Sequence, residues 1–147
     1  GLQTTPLFEI SSFEENYFIA FPDSADPYNL ILRYSKGDNE LSSDIFNNNQ
    51  LHHVVWYQSG GQKGDKFGLF IDGIKVSEKI LNEDQGAVSK FKFNPYFTDF
   101  VDDIQIYDFI LEEEHINIIM ANKANPNFSK FTYDDVEYTP LNRWKKR

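Results

Sequence analysis

The chain has 147 residues, 40% of them apolar, with a formal net charge of −9, which bounds it to one domain large enough to bury a core without metals or disulfides. The acidic balance excludes nucleic acid as a partner, because a phosphate backbone requires a basic face. The absence of cysteine excludes disulfides, thiolate catalysis and cysteine-ligated zinc, and no apolar run reaches the ~18 residues of a membrane-spanning helix, so no membrane insertion is expected.

Fourteen Phe and eight Tyr raise the aromatic share to 16%, which favours sheet over helix. LFEI (7–10) and YFIAF (17–21) read as strands parted by the turn-forming Ser11, Ser12, Glu14, Glu15 and Asn16. A loop over 22–27 leads to an extended NLILRY (29–34), a turn at Lys36-Gly37-Asp38-Asn39 and a short strand over 41–46. After the polar tract 47–50 comes LHHVVWYQ (51–58), the best candidate for a buried strand because β-branched and aromatic residues fill it.

SGGQKGD (59–65) is a glycine-rich flexible connection into KFGLFIDGIKVSE (66–78), where Asp72-Gly73 signals a two-residue hairpin. A type I′ turn needs positive φ at both central residues, which Asp tolerates and Gly prefers. A second pair is predicted from 75–81 through the turn 82–86 into VSKFKF (88–93), whose alternation marks a half-exposed strand and which Asn94-Pro95 closes. VDDIQIYDF (101–109) alternates again and precedes ILEEEHINIIMAN (110–122), the one convincing helix. Asp108 is its expected cap, Glu112, Glu113 and Glu114 suit its positive end, and Lys123 lies near the other. Its inward face is Leu111, His115 and Ile118, or Ile116, Ile119 and Met120. The tail, with Phe128, Phe131, Tyr133, Val136 and Tyr138, holds material for one more strand before the basic RWKKR (143–147).

Nine or ten short strands and one helix near the end predict an all-β fold of antiparallel sheets, a sandwich or a barrel. LHHVVWYQ followed by FGLFIDGIKV resembles the "W-H-H-V … L-Y-V-D-G" strand and hairpin of laminin G-like domains in the concanavalin A-like lectin/glucanase superfamily. FVDDIQIYDFILEEEHINIIM resembles that family's "G-x-I-D-D-V-R-I-Y-N-R-A-L-S-x-E-E-I". His52, His53, Val54, Ile71, Asp72 and Gly73 match the first motif, with Leu51 in place of Trp. Asp102, Asp103, Ile106, Tyr107, Leu111, Glu113 and Glu114 match the second, where Phe100 replaces Gly-x and Phe109-Ile110 replaces Arg-Ala.

The resemblance covers about half the chain and implies a two-sheet antiparallel jelly-roll sandwich over 1–125, with a C-terminal strand and basic tail over 126–147. It also implies that opening strands are missing before Leu7. The chain is therefore expected to be part of a larger polypeptide or a processed product, with other chains or domains, or its own tail, completing the sandwich.

Family glucanases set carboxylates on one strand in a pattern resembling E-x-D-x-E, whose period of two puts all three on one face; hydrolysis needs a pair about 5–10 Å apart. No such pattern occurs. Glu112, Glu113 and Glu114 are consecutive on a helix, and the neighbours Asp102 and Asp103 face opposite sides of a strand. No catalytic residue is assigned and no enzyme activity is expected.

His52 and His53 also point to opposite faces of their predicted strand, so the two do not share one ion, and His115 is the only other histidine. They read as one packed and one surface histidine. Many laminin G-like domains hold calcium on rim loops, so the resemblance offers Ca2+ as an option for the oxygen-rich loops at 23–26, 37–39 and 82–85. None matches a family ligand pattern, and turn-forming Asp and Asn account for all three. Asp103 and Tyr107 are read as fold-supporting groups. Trp144, with Arg143, Lys145, Lys146 and Arg147, is read as a solvated terminus, the other reading being a contact with an acidic neighbour.

These observations predict a non-catalytic recognition or adhesion module, extracellular or surface-exposed, that binds a glycan or protein ligand. The alternative is a structural subunit of a filament, capsid or coat. Neither reading assigns ligand-binding or metal residues.

Overall fold

The computed structural model describes residues 8–12, 17–22, 30–34, 40–43, 51–86, 88–93, 103–122 and 128–145. In chain order β1 (Phe8–Ser12), β2 (Tyr17–Pro22), β3 (Leu30–Tyr34) and β4 (Glu40–Ser43) form an antiparallel meander. β5 (Val54–Gln58), β6 (Lys66–Ile71) and β7 (Ile74–Ile80) form a second antiparallel sheet, and β8 (Val88–Phe93) returns to pair with β1. The larger sheet thus runs β4-β3-β2-β1-β8 and the smaller β5-β6-β7. β9 (Asp103–Ile106), α1 (Glu113–Ala121), the hairpin β10 (Phe131–Tyr133) and β11 (Val136–Tyr138), and β12 (Asn142–Lys145) complete the described chain. The fold is mostly β, antiparallel throughout its described sheets, with one helix.

β6 explains how the layers stack. Its sequence FGLFI is apolar at every position but the glycine, the mark of a strand covered on both faces. Phe67, Leu69 and Ile71 join Ile10 of β1, Leu41 of β4 and Leu81 in one buried cluster, with Val54, Trp56 and Phe91 packed against it. The larger sheet therefore lies against this face of the smaller one. Phe70, on the opposite face, joins Tyr57, Leu111, Ile116, Ile119 and Phe131 in a second cluster, so α1 and the β10–β11 hairpin cover the other side. Phe67, Leu41, Leu69, Leu81 and Ile116 are the largest fully buried side chains, and each contributes about 1.5–3 kcal/mol by leaving water.

The Asp72-Gly73 turn forms as predicted, with φ of 52° and 82° and Ile71 opposite Ile74. Its second strand is not a core strand: β7 is exposed at every position but Ser77, and a register shift interrupts its pairing with β6. The predicted pairing of 75–81 with 88–93 is also overturned, since β8 pairs with β1, Phe91 opposite Ile10. Backbone bonds from Gly64 to Leu81 and from Gln85 and Gly86 to Gly61 fasten 81–86 to 61–64, which carries the chain across to the other sheet. The glycine-rich connection is thus laced to a second loop.

α1 begins later than predicted, at Glu113, and its N-cap is Glu112 in extended conformation, not Asp108, which is exposed. The reason is reciprocal capping between Glu112 and His115 at N3. The buried face combines both predicted sets, Leu111, His115, Ile116 and Ile119, with Ile118 and Met120 partly buried. Asn122 closes the helix, its N–H reaching Ile119 O and its amide donating to Ile118 O at 2.9 Å.

The tail yields three strands where one was predicted. Phe131–Tyr133 and Val136–Tyr138 pair as a hairpin around Asp134 and Asp135, and Asn142–Lys145 pairs antiparallel with β9, Trp144 opposite Ile104 and Lys145 opposite Asp103. The backbone over 143–145 is therefore paired as a strand. Lys123, Lys146, Arg147, Asp102, the tract 47–50, the loops 23–26 and 37–39 and the turn at Asn94 lie outside the described residues.

Candidate binding surface

Two strands and a helix bring a strip of rings together. Tyr107 meets Phe109 edge-on at 5.4 Å, Phe109 meets Tyr138 at 5.1 Å, and Tyr138 stacks on Phe131 at 5.0 Å. His115 continues the strip, its centroid 4.5 Å from Tyr138 and 5.0 Å from Tyr133. The hairpin register explains the arrangement: Phe131, Tyr133, Val136 and Tyr138 share one face because Phe131 is opposite Tyr138 and Tyr133 opposite Val136. The middle of the strip is core, while Phe109 and Tyr133 are each 38% exposed. Asp108, Glu112, Glu113, Glu114, Asp134 and Asp135 flank it in sequence and are all exposed.

Asp103 and Gln105 of β9 and Tyr107, the residue that follows the strand, bond in series. Tyr107 Oη donates to Gln105 Oε1 at 2.8 Å, and Gln105 Nε2 donates to Asp103 Oδ2 at 3.1 Å. Asp103 and Tyr107 thus orient one another through Gln105, which the sequence reading did not single out.

His52 and His53 precede β5 rather than lying in it, so the strand alternation that assigned them opposite faces does not apply. Both are half-buried. His52 Nδ1 lies 2.7 Å from Asp72 Oδ2, the His53 N–H donates to Asp72 Oδ1 at 2.9 Å, and the Asp72 N–H donates to His53 O at 2.8 Å. One backbone bond and two to the Asp72 carboxylate thus tie the segment before β5 to the hairpin turn. His115 stands in the aromatic strip instead.

A second polar group spans three strands. Register aligns Tyr57 with Gly68 and Gly68 with Glu78, and the Tyr57 hydroxyl donates across the glycine to Glu78 Oε2. A Cβ at Gly68 would collide with the Tyr57 phenol, so the glycine is the space the bond needs. Burial, then the Glu78 bond and the charges of Glu78 and Glu112, pushes the Tyr57 hydroxyl well above the ordinary tyrosine value. The Tyr57 bond, assisted by Lys75 at 3.1 Å, holds Glu78 below the usual carboxylate range. A glycine inside an apolar strand was the one sequence signal for this site, and it was not read.

The calcium option fares poorly at the one loop of the three that is described. Asp84 Oδ1 accepts the Lys63 N–H at 2.7 Å, Gln85 is buried, and its N–H goes to Gly61 O. Among the described residues no three His, Asp or Glu side chains converge as a metal site. No helix of the described residues is long and apolar enough to cross a membrane. The chain matches no family model, no curated protein and no solved structure, so its likeness to laminin G-like domains stands on the two quoted motifs.

Proposed function

We propose that the chain is a non-catalytic recognition module of a larger surface-exposed or extracellular protein, built as a jelly-roll sandwich of the laminin G-like kind. Its ligand, a glycan or a protein, binds at the aromatic strip. The observation that carries this reading is that Phe109 and Tyr133 stay exposed while held by ring contacts to an otherwise packed cluster. Rings fixed by their neighbours offer apolar faces at little entropic cost, the property that makes aromatics effective at binding surfaces.

The test is binding of the intact chain to a glycan array, with and without calcium, beside Tyr133→Ser and Phe109→Ser. Binding lost in both variants with unchanged melting supports the site, and binding indifferent to both removes it. Hydrolysis of any member of a polysaccharide panel would overturn the non-catalytic reading.

The assembly reading draws on β7, where Ile74 is 67%, Ile80 60% and Val76 43% exposed. Lys75, Lys79 and the register shift at Leu69/Phe70 are devices that blunt an edge strand, so recognition is preferred. Light scattering decides: an oligomer that Ile74→Ser with Ile80→Ser converts to monomer would restore assembly.

A further inference from the structure

The first turn of a helix leaves backbone N–H groups without partners, and a capping box answers one of them with the Glu or Gln usual at N3. In α1 the N3 residue is His115, whose Nδ1 accepts the Glu112 N–H at 2.9 Å. A ring nitrogen that accepts carries no proton, so the neutral ring holds its hydrogen on Nε2. The same ring is 6% exposed and touches Phe131, Tyr133 and Tyr138. It is the piece of the helix N-terminus on which the β10–β11 hairpin rests.

We propose that His115 is an acid-sensitive clasp between α1 and the hairpin. A proton on Nδ1 turns the acceptor into a donor facing a donor, which releases the Glu112 N–H and loosens the hairpin. Gln at this position never gains a proton and Glu does so only in stronger acid, whereas imidazoles ordinarily change charge between about pH 5 and 8.

Titratable groups neighbour the ring on both elements. From α1 come the carboxylates of Glu112, Glu113 and Glu114 and the positive end of the helix. From the hairpin come the phenols of Tyr133 and Tyr138, with Asp134 and Asp135 beyond Tyr133 and the Lys130–Glu137 pair beside Tyr138. A proton on Nδ1 occupies the lone pair that the Glu112 N–H uses, so charging the ring there opens the cap.

The test is NMR of the intact chain from about pH 8 to pH 5, following the His115 ring, the Glu112 amide and the hairpin. The expected result is a fall of about fivefold in Glu112 amide protection, the change that a cap worth about 1 kcal/mol converts to, at the midpoint of the His115 titration. His115→Gln keeps the acceptor and abolishes the response. The proposal is overturned if the Glu112 amide is unmoved while His115 titrates, if the ring gains no proton in that range, or if His115→Gln responds as the parent does. Should that variant fail to fold, coincidence of the two midpoints in the parent decides the matter.

Discussion

At Asp72 one carboxylate serves both the hairpin turn and the segment entering β5, through His52 and the His53 N–H. The two roles separate in Asp72→Gly, which suits the positive φ but deletes both bonds. Urea denaturation of that variant is expected to show a loss of about 1.5–3 kcal/mol, the scale of a hydrogen bond to a charged group; a gain would mean that only the turn matters. The Tyr57–Glu78 bond gives a pH signature. Glu78 is held low, so its contribution is present above the ordinary carboxylate range and lost as pH falls through the lowered value. Tyr57 is held high, so its contribution is complete below about pH 10 and lost as pH rises further. Thermal melts across pH should show both limbs, and Tyr57→Phe should flatten both. Of these residues the sequence marked Asp72 for its turn, but its bonds to His52 and His53 span 20 and 19 positions, beyond any local pattern.

Elements read most clearly where local chemistry and burial agreed. Asp-Gly between two strand-like runs announced β6 and β7, and the 110–122 pattern announced α1. The β10–β11 hairpin escaped because its turn, Asp134-Asp135, lacks the glycine of a strong signal, yet both residues take positive φ, 51° and 62°. A left-handed Asp costs of the order of 1 kcal/mol, so Asp135→Gly is expected to raise stability by up to about that amount in a urea titration. An unchanged or lower value would mean that the Asp135 carboxylate is itself needed. The start of α1 was misjudged by the same logic in reverse: Asp108 is a good cap by type, but reciprocal capping with His115 selected Glu112.

For the whole molecule the decisive element is β6, which supplies one face to each apolar cluster. Leu69→Ala should cost about 2–5 kcal/mol, whereas Ile80→Ser on exposed β7 should stay within about 0.5 kcal/mol; equal losses by calorimetry would refute this layering. The sequence by itself determined the β-rich class, one helix and the Asp72 turn, because alternation, aromatic content and turn residues act over neighbouring positions. The buried strand expected at 51–58 proved to be β6 instead, since only Tyr57 of β5 is buried whereas Phe67 to Ile71 all are. Only the tertiary structure decided that β8 leaves β7 for β1, that 142–145 pairs with β9, and that His115 rests among three rings of the hairpin. Strand partners and side-chain meetings of that kind are set by which apolar faces can be buried together, and residues distant in the chain settle that jointly.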